Sequence, residues 1–288
     1  MINIAKRNLK IYFRQKSTVF FSLMSVFIII LLYVLFLGKN LTSSLDANGI
    51  NGVENLVNSW VMAGIISVAS ITTTMGAFNV MVEDRVKNLS KDFFSSPIKK
   101  VTIVGGYVLS SYIVGFIMSV ITFIAAEVYI SISGGEILSF TSVLKVLGII
   151  LISVFMSSSL VFFIVSFFYS QGAFSTASTI IGTLIGFVTG IYFPISVLSN
   201  SMQWLIKLFP LSHSAALLRQ VMMTEPIRIS FENAGILRVN EFKESMGIIL
   251  KFGDYTLTPA MHILILLVVG IIFFILAVLN ISRKSKRV

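Results

Sequence analysis

The chain has 288 residues, 56% of them hydrophobic and only 12% charged, which excludes a water-soluble fold. Its 22 Lys and Arg outnumber 12 Asp and Glu, for a net charge of +10, so the position of that surplus relative to the apolar segments decides the topology. The chain contains no cysteine, which excludes a disulfide framework, a thiolate metal site and a cysteine nucleophile.

An amphipathic segment, residues 1–16, opens the chain. Its apolar residues fall near one face of a helix, with the cations largely opposite: Ile2, Ala5, Leu9, Tyr12 and Phe13. This pattern predicts a helix that lies in the membrane interface. A basic flank that holds the first span by charge alone is the alternative.

Six segments are long and apolar enough to cross a bilayer core about 30 Å thick, which takes roughly 20 residues. They are residues 17–37, 60–82, 101–126, 146–169, 173–193 and 260–281. The first is longer than the apolar region of a signal peptide and lacks a cleavage site, so we interpret it as a retained helix. The fourth and fifth are close enough in sequence to form a tight hairpin.

Basic residues lie mostly on one side of the predicted bundle. Residues 1–16, residues 83–100 and the tail after residue 281 together carry 14 of the 22 Lys and Arg. By the positive-inside rule both termini are cytoplasmic, and an even number of spans agrees with this.

The cytoplasmic segment 83–97 carries an apolar ridge. Four apolar side chains share one face of a short predicted helix that ends before Pro97: Val86, Leu89, Phe93 and Phe94. Charges of both signs surround them, as at the rim of a protein interface, so the ridge predicts a partner. A helix lying flat on the membrane is the alternative.

The chain between the fifth and sixth spans has two parts. Residues 194–222 contain two apolar pieces punctuated by proline, each too short to cross, which predicts two re-entrant helices. Residues 224–258 carry mixed charges and predict a small extracellular insert, with strands near 227–231 and a helix near 239–250. Two interpretations of this insert stay open: it contacts the substrate or a partner, or it is a connector that varies within a family.

Two spans carry small and polar residues at helical spacing. The second has one stripe and the fifth another: Ser67, Ser70 and Thr74, then Ser175, Thr179, Gly182, Gly186 and Gly190. Such residues let helices approach closely, and they also suit the lining of a translocation pathway. From the residues alone both interpretations stay open.

The sequence contains few of the motifs that an enzyme would need. It has no G-x-x-x-x-G-K-[ST] phosphate loop, and its cytoplasmic segments are too short for a nucleotide-binding domain. His213 and His262 lack an arranged catalytic partner in sequence, and we expect structural roles for both. We therefore expect no catalytic, cofactor or metal site, and no nucleic-acid partner.

At these motifs the chain resembles, over nearly its whole length, the membrane (permease) subunit of an ABC transporter of the type 2 exporter class. In that family the loop after the second span has an acid-rich stretch, commonly Gly-Thr, then an apolar pair and Ser-Pro or Thr-Pro. The matching residues here are Glu83, Asp84, Arg85, Phe93, Phe94, Ser96 and Pro97, with Asn88-Leu89 in place of Gly-Thr. A later family pattern, Pro followed by a Leu-Arg pair, resembles Pro210 with Leu218-Arg219.

The resemblance implies an all-α fold of six spans, an N-terminal interfacial helix and two re-entrant helices, paired with a second copy or a homologous permease. It also implies an ABC ATPase subunit dimer, which would hold ATP and Mg, and a coupling segment made of Glu83, Asp84, Arg85, Lys87, Lys91, Asp92, Phe93, Phe94 and Pro97. The second and fifth spans would face the translocation route with the two stripes above. The re-entrant helices would form an outer gate that includes Pro194, Trp204, Pro210, His213 and Arg219.

The sequence thus predicts the permease subunit of an ATP-driven exporter in a bacterial plasma membrane. Its substrate would be hydrophobic or amphipathic, such as a drug, a peptide antibiotic or a lipid-like molecule. Two other classes stay open: a stand-alone carrier or channel, which the lack of mid-membrane charges disfavours, and a membrane-bound sensor or immunity protein.

Overall fold

The computed structural model describes residues 1–33, 35, 38, 42–43, 52–89, 98–232 and 234–284. Within these ranges the chain is mostly helical, which confirms the all-α prediction, and its one sheet is a small hairpin. The helices are α1 (Ile2–Arg14), α2 (Lys16–Ser22), α3 (Met24–Leu32), α4 (Val53–Val86), α5 (Lys100–Ile132), α6 (Phe140–Val165), α7 (Gln171–Val188), α8 (Asn200–Leu208), α9 (Pro210–Met222), α10 (Thr224–Ser230), α11 (Ile236–Ser245) and α12 (Pro259–Lys284).

Five of these helices are long and apolar enough to cross a membrane. Their apolar stretches are Val53–Val86, Val101–Ile132, Phe140–Val165, Gln171–Val188 and Pro259–Ile281. Each contains most of one predicted span, and α4 and α5 extend beyond the predicted ends. Helices satisfy all their own backbone polar groups, so these five are suited to lipid, as expected of a polytopic membrane protein.

The first predicted span, residues 17–37, is described only in part. α2 and α3 cover it as far as Leu32, and the two helices are separated at Leu23. The N–H of Leu23 donates to the Phe20 carbonyl at 3.1 Å, so the chain tightens locally into a 3₁₀ turn. Residues 34, 36 and 37 lie outside the described residues, and the sixth span stays a prediction.

Helix α4 is the central element of the bundle. Its apolar stretch is 94% buried within the chain, whereas the corresponding stretches of α7 and α12 are only 17% and 22% buried. α4 packs against α5, α6, α7 and α9. Helix α4 is therefore enclosed by other helices on all sides. Helices α7 and α12, by contrast, have wide exposed faces that can contact lipid or another chain.

Glycines let the central helices approach closely. A Cβ added at Gly115 of α5 would lie 2.4 Å from Thr74 and 2.9 Å from Val154. A Cβ at Gly270 of α12 would lie 2.7 Å from Phe155. These positions are the small-residue contacts that hold α4, α5, α6 and α12 together.

The N-terminal helix α1 divides the predicted apolar face in two. Ala5 and Tyr12 are buried against the bundle together with Asn8, which the sequence did not single out. Ile2 and Phe13 remain 62% and 40% exposed. One face of α1 therefore packs on protein, and a second apolar face beside it is free to contact lipid.

The insert differs from its prediction. Residues 227–231 are not a strand, because Thr224–Ser230 forms the helix α10. Ile227 and Phe231, which directly follows the helix, are both buried and lie one helical turn apart. Helix α11 follows at Ile236–Ser245, and strands β1 (Lys251–Phe252) and β2 (Tyr255–Thr256) pair as a hairpin. Gly253, at φ +60°, supplies the left-handed residue of that turn.

Candidate functional site

A groove of about 500 Å³ lies between α2–α3, α4 and α7. Hydroxyl and amide groups of all three walls reach it, among them Ser17, Asn79 and Gln171, and so do apolar side chains such as Phe21 and Met75. None of the described residues that line it is charged. A cavity of this size with apolar walls and scattered polar groups suits an uncharged or amphipathic molecule of drug size.

Helix α7 supplies the polar wall of the groove. Ser175, Thr179, Gly182 and Thr183 all line it. The hydroxyl of Thr179 donates to the Ser175 carbonyl at 3.1 Å, and that of Thr183 to the Thr179 carbonyl at 2.9 Å. Because these hydroxyls are satisfied within the helix, this face can meet lipid, substrate or another chain without an orphaned donor.

The rest of the predicted glycine stripe lies elsewhere. Gly186 packs on the ring of Tyr192, where an added Cβ would come within 2.5 Å of a ring carbon. Gly190 follows the end of α7 and adopts φ +63°, which makes it a turn residue. Of the predicted stripe, only the N-terminal part of α7, from Ser175 through Gly182, therefore faces the groove.

The predicted stripe of α4 is buried inside the bundle in this structure. Ser67, Ser70 and Thr74 are at most 1% exposed. Ser67 donates to the Leu211 carbonyl at 3.1 Å, and Ser70 lies 3.0 Å from the hydroxyl of Ser157. Ser67 and Ser70 therefore contact α9 and α6 in this structure, and a pathway role for the stripe stays a prediction.

A neighbouring face of α4 meets the groove instead. Thr72, Met75, Gly76 and Asn79 line it, and the Asn79 side chain accepts a hydrogen bond of 2.5 Å from Gln171 of α7. The sequence analysis missed these residues because the serine stripe was the stronger pattern. The available indication was their spacing: the other three residues follow Thr72 at three, four and seven positions, which places all four on one face of a helix.

The C-terminal end of α4 is fastened to α1 and α5 through Asp84. Its carboxylate accepts two hydrogen bonds from the Arg7 guanidinium, at 2.6 and 2.9 Å, and a third from the Tyr107 hydroxyl at 2.5 Å. The pairing raises the pKa of Arg7. Asp84 is only 3% exposed, so this predicted coupling residue acts inside the chain.

Arg85 fastens the same end of α4 to the turn between α6 and α7. Its guanidinium donates to the carbonyls of Val165 at 2.8 Å and Phe168 at 3.1 Å, and lies 5.7 Å from the centre of the Tyr169 ring. The last carbonyls of a helix carry partial negative charge, so the cation caps α6. Arg85, like Asp84, is committed to internal contacts.

The remaining coupling residues are more peripheral. Glu83 and Lys87 form an exposed ion pair of 2.5 Å, which raises the pKa of Lys87. Val86 and Leu89 are 46% and 36% exposed, so the start of the predicted apolar ridge does face outward. The rest of the predicted segment lies outside the described residues: Lys91, Asp92, Phe93, Phe94 and Pro97.

Two short helices, α8 and α9, occupy the region of the predicted outer gate. They meet at Phe209, whose extended backbone separates them, and Pro210 occupies the first turn of α9. Pro194 precedes a single 3₁₀ turn, Ile195–Val197. Trp204 of α8 is 53% exposed.

Arg219 of α9 is buried without an acidic partner among the described residues. Its guanidinium lies 4.5 Å from the centre of the Trp60 ring and donates to the Gly190 carbonyl at 2.9 Å. The indole N–H of Trp60 donates to the Met246 carbonyl at 2.7 Å. Trp60 is 0% exposed and joins α4 to α9 and to the insert.

The structure also brings the two histidines together. His213 Nδ1 lies 2.8 Å from His262 Nδ1, which links α9 to α12. Which of the two rings donates depends on their tautomers. No group of three or more metal-binding side chains occurs among the described residues.

The geometry is that of a bundle of long apolar helices, with a lateral groove between α2–α3, α4 and α7 and with one end of α4 fastened through Asp84 and Arg85. A comparison with curated proteins gives no match. The sequence model of the ABC-2 family transporter proteins matches residues 37–279, which include four of the five long helices, most of α12 and the region of the predicted outer gate. Proteins of this family are multi-pass membrane components that normally work with a separate ATPase and usually lack an ATPase site of their own. The chain therefore belongs to the ABC-2 family of transporter proteins, the membrane permeases of ABC transporters.

Proposed function

We propose that this permease exports a hydrophobic or amphipathic substrate, and that the groove between α2–α3, α4 and α7 is where the substrate enters. The observation that carries the proposal is the composition of the groove, about 500 Å³ of space with no charged residue among its described lining residues. A fixed charge there would penalise a neutral or lipid-like molecule through desolvation. Hydroxyls and amides offer adaptable hydrogen bonds instead.

The groove lies toward the cytoplasmic half of the bundle. Ser17 and Thr18 begin the first predicted span, and Asn79 lies close to the fastened end of α4 at Asp84. If the termini are cytoplasmic, as the positive-inside rule predicts, the opening faces the inner leaflet. Substrate then moves outward, past the closed helices α8 and α9.

A second permease completes the groove in this proposal. α7 is 17% buried in the monomer although it carries a continuous hydroxyl face. Covering that face with the same face of another copy, or with a homologous permease, would enclose the substrate between two chains.

ATP binding by a separate ATPase dimer drives the cycle. Phe93 and Phe94 contact the ATPase, and Asp84 and Arg85 pass the movement of that segment to α1, α5 and the α6–α7 turn through the contacts at 2.5 to 3.1 Å. ATP and Mg are held by the ATPase subunits. The complex rocks between an inward-open and an outward-open state.

A substitution that fills the groove tests the proposal. Ser178 lines the groove, whereas Ser131 is exposed at the far end of α5. In nanodiscs with its ATPase, Ser178→Trp should reduce by about ten-fold the stimulation of ATP hydrolysis by a fluorescent phospholipid analogue, an amphipathic dye and a cyclic peptide antibiotic, because the indole fills space that the substrate needs. Ser131→Trp should leave it unchanged.

ATPase binding should persist in Ser178→Trp, since the groove is distant from the coupling segment. Full stimulation of Ser178→Trp by every compound that stimulates the original protein would contradict the assignment of the groove.

A further inference from the structure

A second hollow, of about 330 Å³, lies between the gate helix α8 and the insert. Gln203 and Lys207 of α8 form one wall, and Glu241, Glu244 and Ser245 of α11 face them. The spacing of four residues in α8, and of three and four in α11, places each set on one face of its helix. Two helices therefore turn polar faces toward a shared space.

The charges around this hollow are of both signs. Lys251 of β1 forms an ion pair with Glu244. Lys207 and Glu241, on opposite walls, have no ion pair or side-chain hydrogen bond with any described residue. Once the internal pair is formed, one cation and one anion remain to meet a ligand. This arrangement complements a molecule that carries one negative and one positive group.

The exposed apolar face of α8 indicates that the hollow lies beside the membrane surface. Trp204, Leu205 and Leu208 are 53%, 47% and 68% exposed, and they lie on a face of α8 different from that of Gln203 and Lys207. An exposed tryptophan among leucines is typical of the depth of the lipid headgroups. The polar face of the same helix then opens at the level where headgroups lie.

We propose that this hollow binds the headgroup of a zwitterionic phospholipid of the outer leaflet. Lys207 pairs with the phosphate, Glu241 pairs with the ammonium group, and Trp204 and Leu208 contact the acyl chains. The site is separate from the substrate groove, and the proposal does not depend on the transported substrate.

The proposed site is connected to the gate. Gln220 of α9 donates to the Ile248 carbonyl at 2.9 Å, and Ile249 and Leu250, which follow directly, line the hollow. The lipid would thus bridge α8 to the insert and hold both against α9. Its binding would stabilise the closed arrangement of the outer side.

Lipid retention tests the proposal. The detergent-purified protein is exchanged into micelles containing equal amounts of phosphatidylethanolamine and phosphatidylglycerol with the same acyl chains, and bound lipid is measured by native mass spectrometry. The unsubstituted protein should retain phosphatidylethanolamine. Lys207→Gln should reduce retention of both lipids about ten-fold, as expected for one charge-assisted hydrogen bond. Glu241→Gln should reduce that of phosphatidylethanolamine alone.

Two matched variants and a soluble probe complete the test. Lys243 lies on the other side of α11 and Glu232 is exposed outside the hollow, so Lys243→Gln and Glu232→Gln should retain lipid normally. Soluble glycerophosphoethanolamine should not displace the lipid at equal concentration, because it lacks acyl chains. Unchanged retention in Lys207→Gln and Glu241→Gln, or equally tight binding of the soluble probe, would overturn the proposal.

Discussion

At the scale of single residues, the ends of α4 are defined by side chains that reach other helices. Asp84 engages α1 and α5, Arg85 caps α6, and Trp60 joins α9 to the insert. These residues are visible in the sequence, but their partners are not, since Arg7 and Asp84 are 77 positions apart and His213 and His262 are 49 apart. Contacts of this kind depend on tertiary packing, which a single sequence does not record.

One departure from the family pattern has a simple local explanation. Asn88 stands where the family commonly has glycine, and its φ is +60°. Asparagine is among the few residues other than glycine that adopt this left-handed conformation readily, and it commonly ends helices. The turn that follows α4 is therefore preserved although the residue differs.

The ion pair of Asp84 should contribute to stability. Asp84→Asn removes the countercharge of a partly buried guanidinium, and we expect a loss of roughly 2 to 3 kcal/mol. Thermal unfolding in detergent, followed by tryptophan fluorescence, measures it. In a double-mutant cycle with Arg7→Gln, most of this loss should appear as coupling energy between the two positions. The double variant should thus be little less stable than Asp84→Asn alone.

The control for this prediction is Glu83→Gln, at the neighbouring position. Within the described part of the chain, Glu83 forms an ion pair with the exposed Lys87 alone, so the Tm of Glu83→Gln should equal that of the original protein. Equal Tm values for Asp84→Asn and the original protein would show that the buried pair does not hold α1 to the bundle.

At the scale of elements, the length and apolar character of the segments predicted the five long helices, and two short helices do form within residues 194–222. Length and the lack of charge are sufficient, because a lipid solvent imposes them on every span. Periodicity failed at 227–231, where Ile227, Ile229 and Phe231 alternate as in a strand but the chain is helical. In so short a segment both periods fit, and the Glu225–Arg228 ion pair together with packing decides.

The exposed face of α7 should meet a second copy of the chain. The sequence contains no cysteine. A variant with one introduced cysteine can therefore form a disulfide only between two copies of the chain at that position, and no native cysteine has to be removed first. We expect Thr179→Cys or Thr183→Cys to form a disulfide-linked dimer in membranes treated with a mild oxidant. The disulfide requires Cα atoms within about 7 Å, which only a direct interface provides.

Helix α12 provides the control, because it is about as exposed as α7. Ile271→Cys and Leu276→Cys should remain monomeric. If the α12 variants formed disulfide-linked dimers and the α7 variants did not, the dimer interface would lie at α12, which would contradict the prediction.

At the scale of the whole molecule, α4 connects the two ends of the bundle. It runs for 34 residues, about 50 Å at 1.5 Å per residue, with Asp84 and Arg85 near one end and Trp60 near the other. In the proposed cycle, a displacement of the end at Asp84 would reach the predicted outer gate through one continuous helix. The sequence indicated a permease without its own motor, but not that a single buried helix joins the predicted coupling segment to the predicted gate.

In the proposed cycle, a separate ATPase drives this permease through the coupling segment. Phe93→Asp combined with Phe94→Asp should abolish co-purification of an ATP-binding subunit, since two carboxylates cannot be buried in an apolar interface. Phe93→Leu with Phe94→Leu should retain the subunit, because the ridge stays apolar. Full co-purification and ATP-dependent transport with the two aspartates, or transport by the permease alone in vesicles, would contradict the account.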